Sequence, residues 1–294
     1  MLVTGCDHLQ LNAQPSFRDI QYDDHENGTL DVFVPAGGGE SYPTVLLVHG
    51  TDVDKTYFQG TGTIDDLLKE GYAAVSVEYR PPTATQPLLS LSDISCALGW
   101  VYANKGAYHF NTDTIVALGH SRGASLVALL AARNDIDAFV TDCPNKLPKK
   151  DWIRGVVAYA GSYGTPAASF SDPFFVKTFS TVLNLSQSET AQIFDELTRI
   201  PPSNWLSSDE LPENVRQYVS LFPIAWIDGS EPPFLLAQGE KDEIVSPDEA
   251  KAFYEVLRSA GVSADLLIIP NGYHRLDQVA LHDHLFDFLA KMQG

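Results

Sequence analysis

The sequence predicts an α/β fold, in which a mostly parallel, twisted sheet carries an antiparallel N-terminal hairpin and has helices on both faces. Short runs of consecutive apolar residues recur along the chain, as in parallel strands that are covered on both faces. Segments with helical character separate these runs. This alternation is typical of a right-handed, doubly wound sheet. The chain has 294 residues, which is long enough for one such domain with a sizeable core.

The predicted strands begin with a hairpin. Phe17–Tyr22 and Thr29–Val34 have the composition of strands, and Asn27-Gly28 lies between them. Both turn residues tolerate positive φ, which makes the pair a strong hairpin signal. Six apolar runs then predict the remaining strands, at residues 44–49, 73–78, 114–119, 153–159, 234–238 and 265–269.

Four segments between or after these runs predict helices. Residues 92–103 and the Ala/Leu-rich residues 121–132 follow two of the strands. Residues 250–257 and 281–292 have apolar side chains at i, i+3, i+4 and i+7, which is the spacing of one helix face.

Residues 162–231 break the alternation. They contain no apolar run typical of a core strand, although residues 186–197 look helical. A stretch of about 70 residues is too long for an ordinary loop. We therefore predict a cap, inserted into a single domain of residues 1–294, that covers the C-terminal ends of the strands, where α/β folds bind ligands. Its aromatic residues, Phe174, Phe175 and Trp205 among them, are expected to set selectivity for the alcohol part of a substrate.

The charge of the chain argues against two classes of partner. It has 38 acidic and 19 basic residues, which gives a net charge of −19. Such a chain repels the phosphates of nucleic acids and the surfaces of anionic membranes. No apolar run approaches the ~20 residues of a transmembrane helix.

The three cysteines, Cys6, Cys96 and Cys143, match no zinc-binding spacing and are too few for a disulfide framework. A Cys96–Cys143 disulfide is one alternative, but we expect free buried thiols. Leu2–Cys6 resembles a lipobox, without the charged and apolar regions that should precede it. A secreted or lipid-anchored bacterial protein and a cytoplasmic protein therefore both stay open.

Gly119-His120-Ser121-Arg122-Gly123 has the pattern Gly-x-Ser-x-Gly. This pattern also occurs by chance, but here it follows an apolar strand and precedes an Ala/Leu-rich helix. That context is typical of a nucleophile elbow, a strained turn that presents the serine hydroxyl at the sheet edge. The alternative is that Ser121 only caps the helix.

A serine nucleophile needs a base and an acid that orients the base. In this arrangement they follow the serine in the order acid, then histidine. Asp242 follows the penultimate predicted strand and His274 follows the last. We predict that His274 takes the proton of Ser121 and that Asp242 orients the imidazole. Other acidic and histidine residues offer alternatives for these roles, namely Glu243, Asp248, His282 and His284.

The loop after the first parallel strand is the predicted oxyanion hole. Backbone N–H groups of Thr51 or Asp52, together with that of Arg122, would bind the developing oxyanion. His49 and His120 are expected to be structural.

Arg122 opens a helix, where the helix dipole disfavours a cation, so we predict an ion pair with Asp52 or, failing that, with Asp54. The alternatives are an Arg122 that extends into solvent or one that binds a carboxylate of the substrate.

Five segments together resemble the α/β-hydrolase superfamily, in particular its esterase/lipase branch of bacterial carboxylesterases and feruloyl-esterase-like proteins. They are Leu46–Gly50, Glu78–Pro81, Gly119–Gly123, Pro233–Asp242 and Pro270–His274. The resemblance runs from Pro43 to the end of the chain, apart from residues 162–231. It implies a serine hydrolase that needs neither cofactor nor metal.

Two positions depart from the family pattern. Thr51-Asp52 stands where the family usually has further glycines, and Arg122 stands where a small residue commonly follows the serine. The added bulk beside the oxyanion hole predicts a preference for short acyl groups, because each CH₂ that stays unburied forfeits ~0.8 kcal/mol.

The leading hypothesis is hydrolysis of a small carboxylic ester, of short-acyl or aryl type, through an acyl-Ser121 intermediate. Two alternatives use the same fold. One is an amide or formamide hydrolase with the same triad, and the other is a binding protein without activity. The oligomeric state does not follow from the sequence.

Overall fold

A computed structural model describes residues 13–83, 86–133, 135, 143–148, 152–275 and 278–294. The lipobox-like segment Leu2–Cys6 lies outside these residues. Within the described part of the chain, no helix combines the length and the apolar character needed to cross a membrane.

Eight strands form one sheet. They are β1 (Phe17–Gln21), β2 (Thr29–Phe33), β3 (Tyr42–Val48), β4 (Ala73–Val77), β5 (Phe110–His120), β6 (Gly155–Tyr159), β7 (Phe234–Gly239) and β8 (Ala264–Ile269). Their spatial order is β1-β2-β4-β3-β5-β6-β7-β8. β2 is antiparallel to β1 and β4, and all other neighbours are parallel. The predicted sheet with its antiparallel hairpin is confirmed.

Helices cover both faces of the sheet. They are α1 (Tyr57–Gly60), α2 (Thr63–Lys69), α3 (Leu89–Ala103), α4 (Lys105–Tyr108), α5 (Arg122–Ala132), α6 (Pro166–Ser169), α7 (Pro173–Leu183), α8 (Gln187–Arg199), α9 (Glu213–Val219), α10 (Pro247–Ser259) and α11 (Gln278–Lys291). Along β3, Leu46 and Val48 pack in one layer with α3, α5 and α10, whereas Val45 and Leu47 pack in the other layer with α2 and α11. Because both faces are covered, the strand has no polar alternation.

Residues 162–231 contain helices and no strand among their described residues. Ser186 begins α8 with a capping box, since its hydroxyl accepts from the Glu189 N–H and the Glu189 carboxylate accepts from the Ser186 N–H. The segment also packs its own aromatic rings together. Phe170 stacks on Phe194 with the ring centroids 4.2 Å apart.

Cys96 of α3 and Cys143 form a disulfide, so the expectation of free thiols is wrong. The segment that carries Cys143 packs closely against α3. A Cβ atom on Gly99 would lie only 2.2 Å from the carbonyl oxygen of Asn145. This approach leaves the two cysteine Cα atoms 5.4 Å apart. The cysteines are 47 residues apart in the chain, and local sequence patterns carry no information about a contact over that separation.

The topology gathers the predicted site at one edge of the sheet. β3, β5, β7 and β8 are parallel, so their C-terminal ends lie on the same side. Thr51, Ser121, Asp242 and His274 each follow one of these four ends. An α/β sheet binds its ligands at this edge.

Candidate active site

Ser121 lies in the sharp turn between β5 and α5. Its backbone has φ 55° and ψ −121°, a conformation that a residue with a side chain rarely adopts. The flanking glycines make the turn sterically possible. A Cβ atom on Gly119 would lie 2.2 Å from the carbonyl oxygen of Gly123, and one on Gly123 would lie 2.0 Å from that of Val48. The elbow context predicted from the sequence is therefore present.

The structure brings the three predicted triad residues together. His274 Nε2 lies 2.9 Å from Ser121 Oγ. On the other side of the ring, His274 Nδ1 lies 2.9 Å from Asp242 Oδ2 and 3.1 Å from Oδ1. With the proton on Nδ1, the imidazole donates to Asp242 and accepts from the serine hydroxyl, which is the tautomer that a general base needs.

The alternative acids and bases lie elsewhere. Glu243 and His284 are exposed. Exposed Asp248 pairs with Lys251 at 3.0 Å, and His282 contacts Asp283 at 3.1 Å.

Asp242 is held in place as an ionised carboxylate. Its Oδ1 accepts hydrogen bonds from the backbone N–H groups of Ile244 and Val245, both at 2.9 Å, and its Oδ2 accepts from Gln238 Nε2 at 2.7 Å. Burial raises the pKa of Asp242, but the hydrogen bonds from His274 and the two amides outweigh burial and bring the pKa below its ordinary value. The sequence analysis does not predict this role of Gln238. The signal that could have indicated it is an amide side chain near the end of an otherwise apolar strand.

The loop after β3 lies against the elbow. A Cβ atom on Gly50 would lie 3.1 Å from Ser121 Cβ, so the glycine allows the close approach. Asp52 has φ 60°, in the left-handed region. His49 donates from Nδ1 to the carbonyl oxygen of Gly50 at 2.8 Å and stacks on Tyr79. These contacts fit the structural role expected of His49.

The predicted ion pair between Arg122 and Asp52 is wrong. Arg122 Nε instead donates to the Thr51 hydroxyl at 2.9 Å. Among the described residues, no carboxylate oxygen lies within ion-pair distance of the Arg122 guanidinium. Asp52 is exposed, so water solvates its carboxylate and no cation is required. The side-chain bridge between loop and elbow exists, but it is made by Thr51.

A pocket of about 350 Å³ opens beside Ser121. Its walls carry many hydroxyl groups, from Thr51, Ser125, Ser162, Ser169, Thr178, Tyr218 and Ser246. Phe175 lines the pocket, as the sequence predicts for an aromatic residue of segment 162–231. Trp205 does not. It is fully buried, and its indole N–H donates to the carbonyl oxygens of Leu197 and Ile200. The side chain of Phe174 lies outside the described part of the structure.

A buried carboxylate joins the pocket wall to the core. Glu249 of α10 is 3% exposed and accepts hydrogen bonds from the backbone N–H of Tyr163 at 2.8 Å and from the Ser169 hydroxyl. Burial raises the pKa of Glu249, and these hydrogen bonds oppose that effect only in part. Glu249 therefore ties the start of segment 162–231 to α10.

Comparison with known proteins identifies the family of this chain. The BD-FAE family model matches residues 30–257. The chain belongs to the BD-FAE family. The matched region of this BD-FAE chain includes the nucleophile elbow and Asp242, and it ends before His274.

Two curated relatives from Mycobacterium tuberculosis (strain ATCC 25618 / H37Rv) carry the name esterase. Esterase LipQ is 25% identical over 236 residues, which cover 78% of this chain and 50% of LipQ. Esterase LipC is 24% identical over 247 residues, which cover 84% of this chain and 52% of LipC. The chain thus spans about half the length of these relatives.

Solved structures show the same fold. A truncated carbohydrate esterase from gut microbiota superimposes with a TM-score of 0.70 at 18% identity, covering 96% of this chain and 97% of that one. Butyrate-bound Est2 from Thermogutta terrifontis, described as a thermophilic esterase, gives a TM-score of 0.65 at 16% identity, covering 96% and 95%. The architecture is that of the α/β-hydrolases.

Proposed function

We propose that this protein hydrolyses carboxylic esters through an acyl-Ser121 intermediate. The observation that carries the proposal is the unbroken chain of hydrogen bonds from Ser121 Oγ through His274 to Asp242, at the tip of a strained elbow. The esterase names of the two curated relatives support the same reaction.

The reaction would proceed in two halves. Ser121 Oγ attacks the ester carbonyl carbon while His274 Nε2 accepts the hydroxyl proton. The tetrahedral intermediate collapses, the bond to the alcohol oxygen breaks, and His274 gives its proton to that oxygen. A water molecule then attacks the acyl-enzyme, with His274 again as the base. Hydrolysis of this intermediate releases the acid and restores Ser121. Ionised Asp242 stabilises the imidazolium in both halves.

The negative charge of each tetrahedral intermediate needs hydrogen-bond donors. We assign this role to the backbone N–H of Arg122 and to that of Thr51 or Asp52. The hydrogen bond between the Arg122 and Thr51 side chains supports the assignment, because it joins the two segments that would supply the donors.

Segment 162–231 would act as a cap that shapes the substrate pocket. Several of its residues, including Ser169 and Phe175, line the pocket beside Ser121. The small volume and the hydroxyl-lined walls fit a short acyl group and a polar alcohol. The solved neighbour described as a carbohydrate esterase supports a sugar-like alcohol.

Steady-state kinetics with p-nitrophenyl acetate test the reaction. Ser121→Ala should lower kcat by a factor on the order of 10⁴–10⁶. The matched control is Ser95→Ala, because the Ser95 hydroxyl is buried in α3, where it donates to the Leu91 carbonyl oxygen away from the site. The control should retain activity. A Ser121→Ala variant within tenfold of wild type would contradict the proposal.

A chain-length series tests the pocket. The ratio kcat/KM should fall from acetyl to dodecanoyl esters, because Thr51 and Asp52 add bulk beside the oxyanion hole, and each CH₂ of the acyl chain that stays unburied forfeits ~0.8 kcal/mol. A steady rise along the series would refute the short-acyl preference while leaving the ester reaction intact.

A further inference from the structure

Two side chains at the ends of neighbouring strands hold the loop that carries His274. His120 ends β5 and Tyr159 ends β6, and the two residues are direct partners in the parallel register. His120 Nε2 donates to the backbone carbonyl oxygen of His274 at 2.8 Å. The Tyr159 hydroxyl lies 3.0 Å from the carbonyl oxygen of Arg275 and 3.4 Å from that of Tyr273, so its hydrogen bond is shared between them. His120 and Tyr159 thus donate hydrogen bonds to three successive backbone carbonyl groups of the loop, those of residues 273–275.

His120 is closely packed, although its Nδ1 atom has no hydrogen-bond partner among the described residues. It is 6% exposed, and its ring stacks on Tyr57 with the centroids 4.7 Å apart and the planes at 17°. Its Nδ1 faces the oxyanion loop, since a Cβ atom on Gly50 would lie 3.2 Å from it. Because a carbonyl oxygen only accepts, the proton of the neutral ring must be on Nε2.

The His120 ring is neutral, which avoids electrostatic repulsion with the neighbouring His274. The titratable groups that face it among the described residues are His274, whose ring centroid is 5.1 Å away, Asp242, and the phenols of Tyr57 and Tyr159. Burial lowers the pKa of His120 to about 4. The ring is therefore neutral at neutral pH and places no second positive charge beside the imidazolium that His274 forms during catalysis.

The other end of the loop is anchored separately. The backbone N–H of Lys241 donates to the Gly272 carbonyl oxygen at 2.7 Å, and the N–H of Asn271 donates to the Glu240 carboxylate at 2.9 Å. These bonds fix the loop relative to the acid turn. Only His120 and Tyr159, among the described contacts of residues 273–275, tie it to the strands that lead into and flank the nucleophile elbow.

We propose that His120 and Tyr159 are positioning residues that hold His274 Nε2 at hydrogen-bond distance from Ser121 Oγ. This inference rests on the proposed function, because that distance matters only if His274 takes the proton of Ser121. An imidazole displaced by about 1 Å can cost on the order of 100-fold in rate, whereas binding of the substrate need not change. The signature is a loss in kcat without a matching change in KM.

Tyr159→Phe removes one hydroxyl and little volume. The chain offers a matched control in Tyr102→Phe, because the Tyr102 hydroxyl also lies between two backbone carbonyl oxygens, those of Thr112 at 3.2 Å and Trp152 at 3.1 Å, away from the site. We expect Tyr159→Phe to lower kcat by about 3- to 30-fold with KM within about twofold of wild type. The two variants should lower Tm by similar amounts, but Tyr102→Phe should leave kcat within about twofold of wild type. Equal kcat values for the two variants would overturn the proposal.

His120 is tested with two substitutions that differ in one property. His120→Phe keeps a ring that can stack on Tyr57 but has no donor, whereas His120→Gln keeps an N–H donor. We expect a loss in kcat of about tenfold or more for His120→Phe and a smaller loss for His120→Gln. Equal losses would mean that the donor has no role. If His120→Phe does not fold, the Tyr159→Phe comparison decides the proposal alone.

A spectroscopic readout separates this inference from the proposed function. The proton shared by His274 Nδ1 and Asp242 gives a low-field ¹H NMR resonance that does not depend on turnover. It should shift or broaden in Tyr159→Phe and stay unchanged in Tyr102→Phe. If wild type hydrolyses no ester, the proposed function fails, yet the resonance still reports on the position of His274. An unchanged resonance in Tyr159→Phe would contradict the positioning role.

Discussion

The buried, neutral state of His120 makes a quantitative prediction about stability. The folded protein holds the pKa of His120 at about 4, and an unfolded chain restores it to about 6.5. Between these values the unfolded state binds more protons than the folded state. The contribution of His120 to stability is therefore lost as the pH falls from about 6.5 towards 4. Integrating this difference in bound protons from pH 8 to pH 5.5 gives a loss of about 1.4 kcal/mol in the free energy of unfolding.

Urea unfolding of wild type and His120→Gln measures this loss. The variant removes the titrating ring. The amount by which its free energy of unfolding falls below that of wild type should therefore be about 1.4 kcal/mol smaller at pH 5.5 than at pH 8. Other carboxylates and histidines titrate in both proteins and cancel in the difference. Ser95→Ala, which removes no titrating group, should show the same deficit at both pH values. A His120→Gln deficit that is independent of pH would refute the reasoning.

Four further measurements test other parts of the structure. Reduction of the disulfide should lower the free energy of unfolding by about 4 kcal/mol, because it closes a loop of 47 residues; unchanged urea curves would contradict this. Thr51→Val and Arg122→Met should show a coupling above ~0.5 kcal/mol in kcat/KM, and strict additivity would show that their hydrogen bond is irrelevant to catalysis. Phe175→Ala should change KM among esters of different alcohols, whereas Trp205→Ala should lower Tm; the reverse pattern would argue against the pocket as described. Asp242→Asn should lower kcat by about 10⁴-fold, and a loss below tenfold would remove Asp242 from the triad.

The elements of the fold could be predicted from local pattern. Each apolar run became a strand because both faces of the sheet are covered. Asn27-Gly28 marked the hairpin correctly, but not for the predicted reason, since neither residue has positive φ. Gly28 is needed instead because a Cβ atom there would lie 2.4 Å from the carbonyl oxygen of Asp23. Ser121, Asp242 and His274 were found for a topological reason. Parallel strands end on the same side, so residues that follow different strands meet there.

Contacts between distant side chains could not be predicted in the same way. The partner of Arg122 depends on whether Thr51 or Asp52 turns towards the elbow, and Asp52 adopts a left-handed backbone that the sequence does not announce. Trp205 and Phe175 look alike in the sequence, yet one fills the interior of segment 162–231 and the other lines the pocket. In both cases the outcome is set by tertiary packing.

The most direct test of the central claim is covalent labelling of the nucleophile. Wild type is treated with a fluorophosphonate and digested, and the modified residue is located by mass spectrometry. We predict a single adduct on Ser121, much slower labelling in His274→Ala because no base then activates the hydroxyl, and no adduct in Ser121→Ala. An adduct on another residue, or labelling of Ser121→Ala at the rate of wild type, would contradict the account.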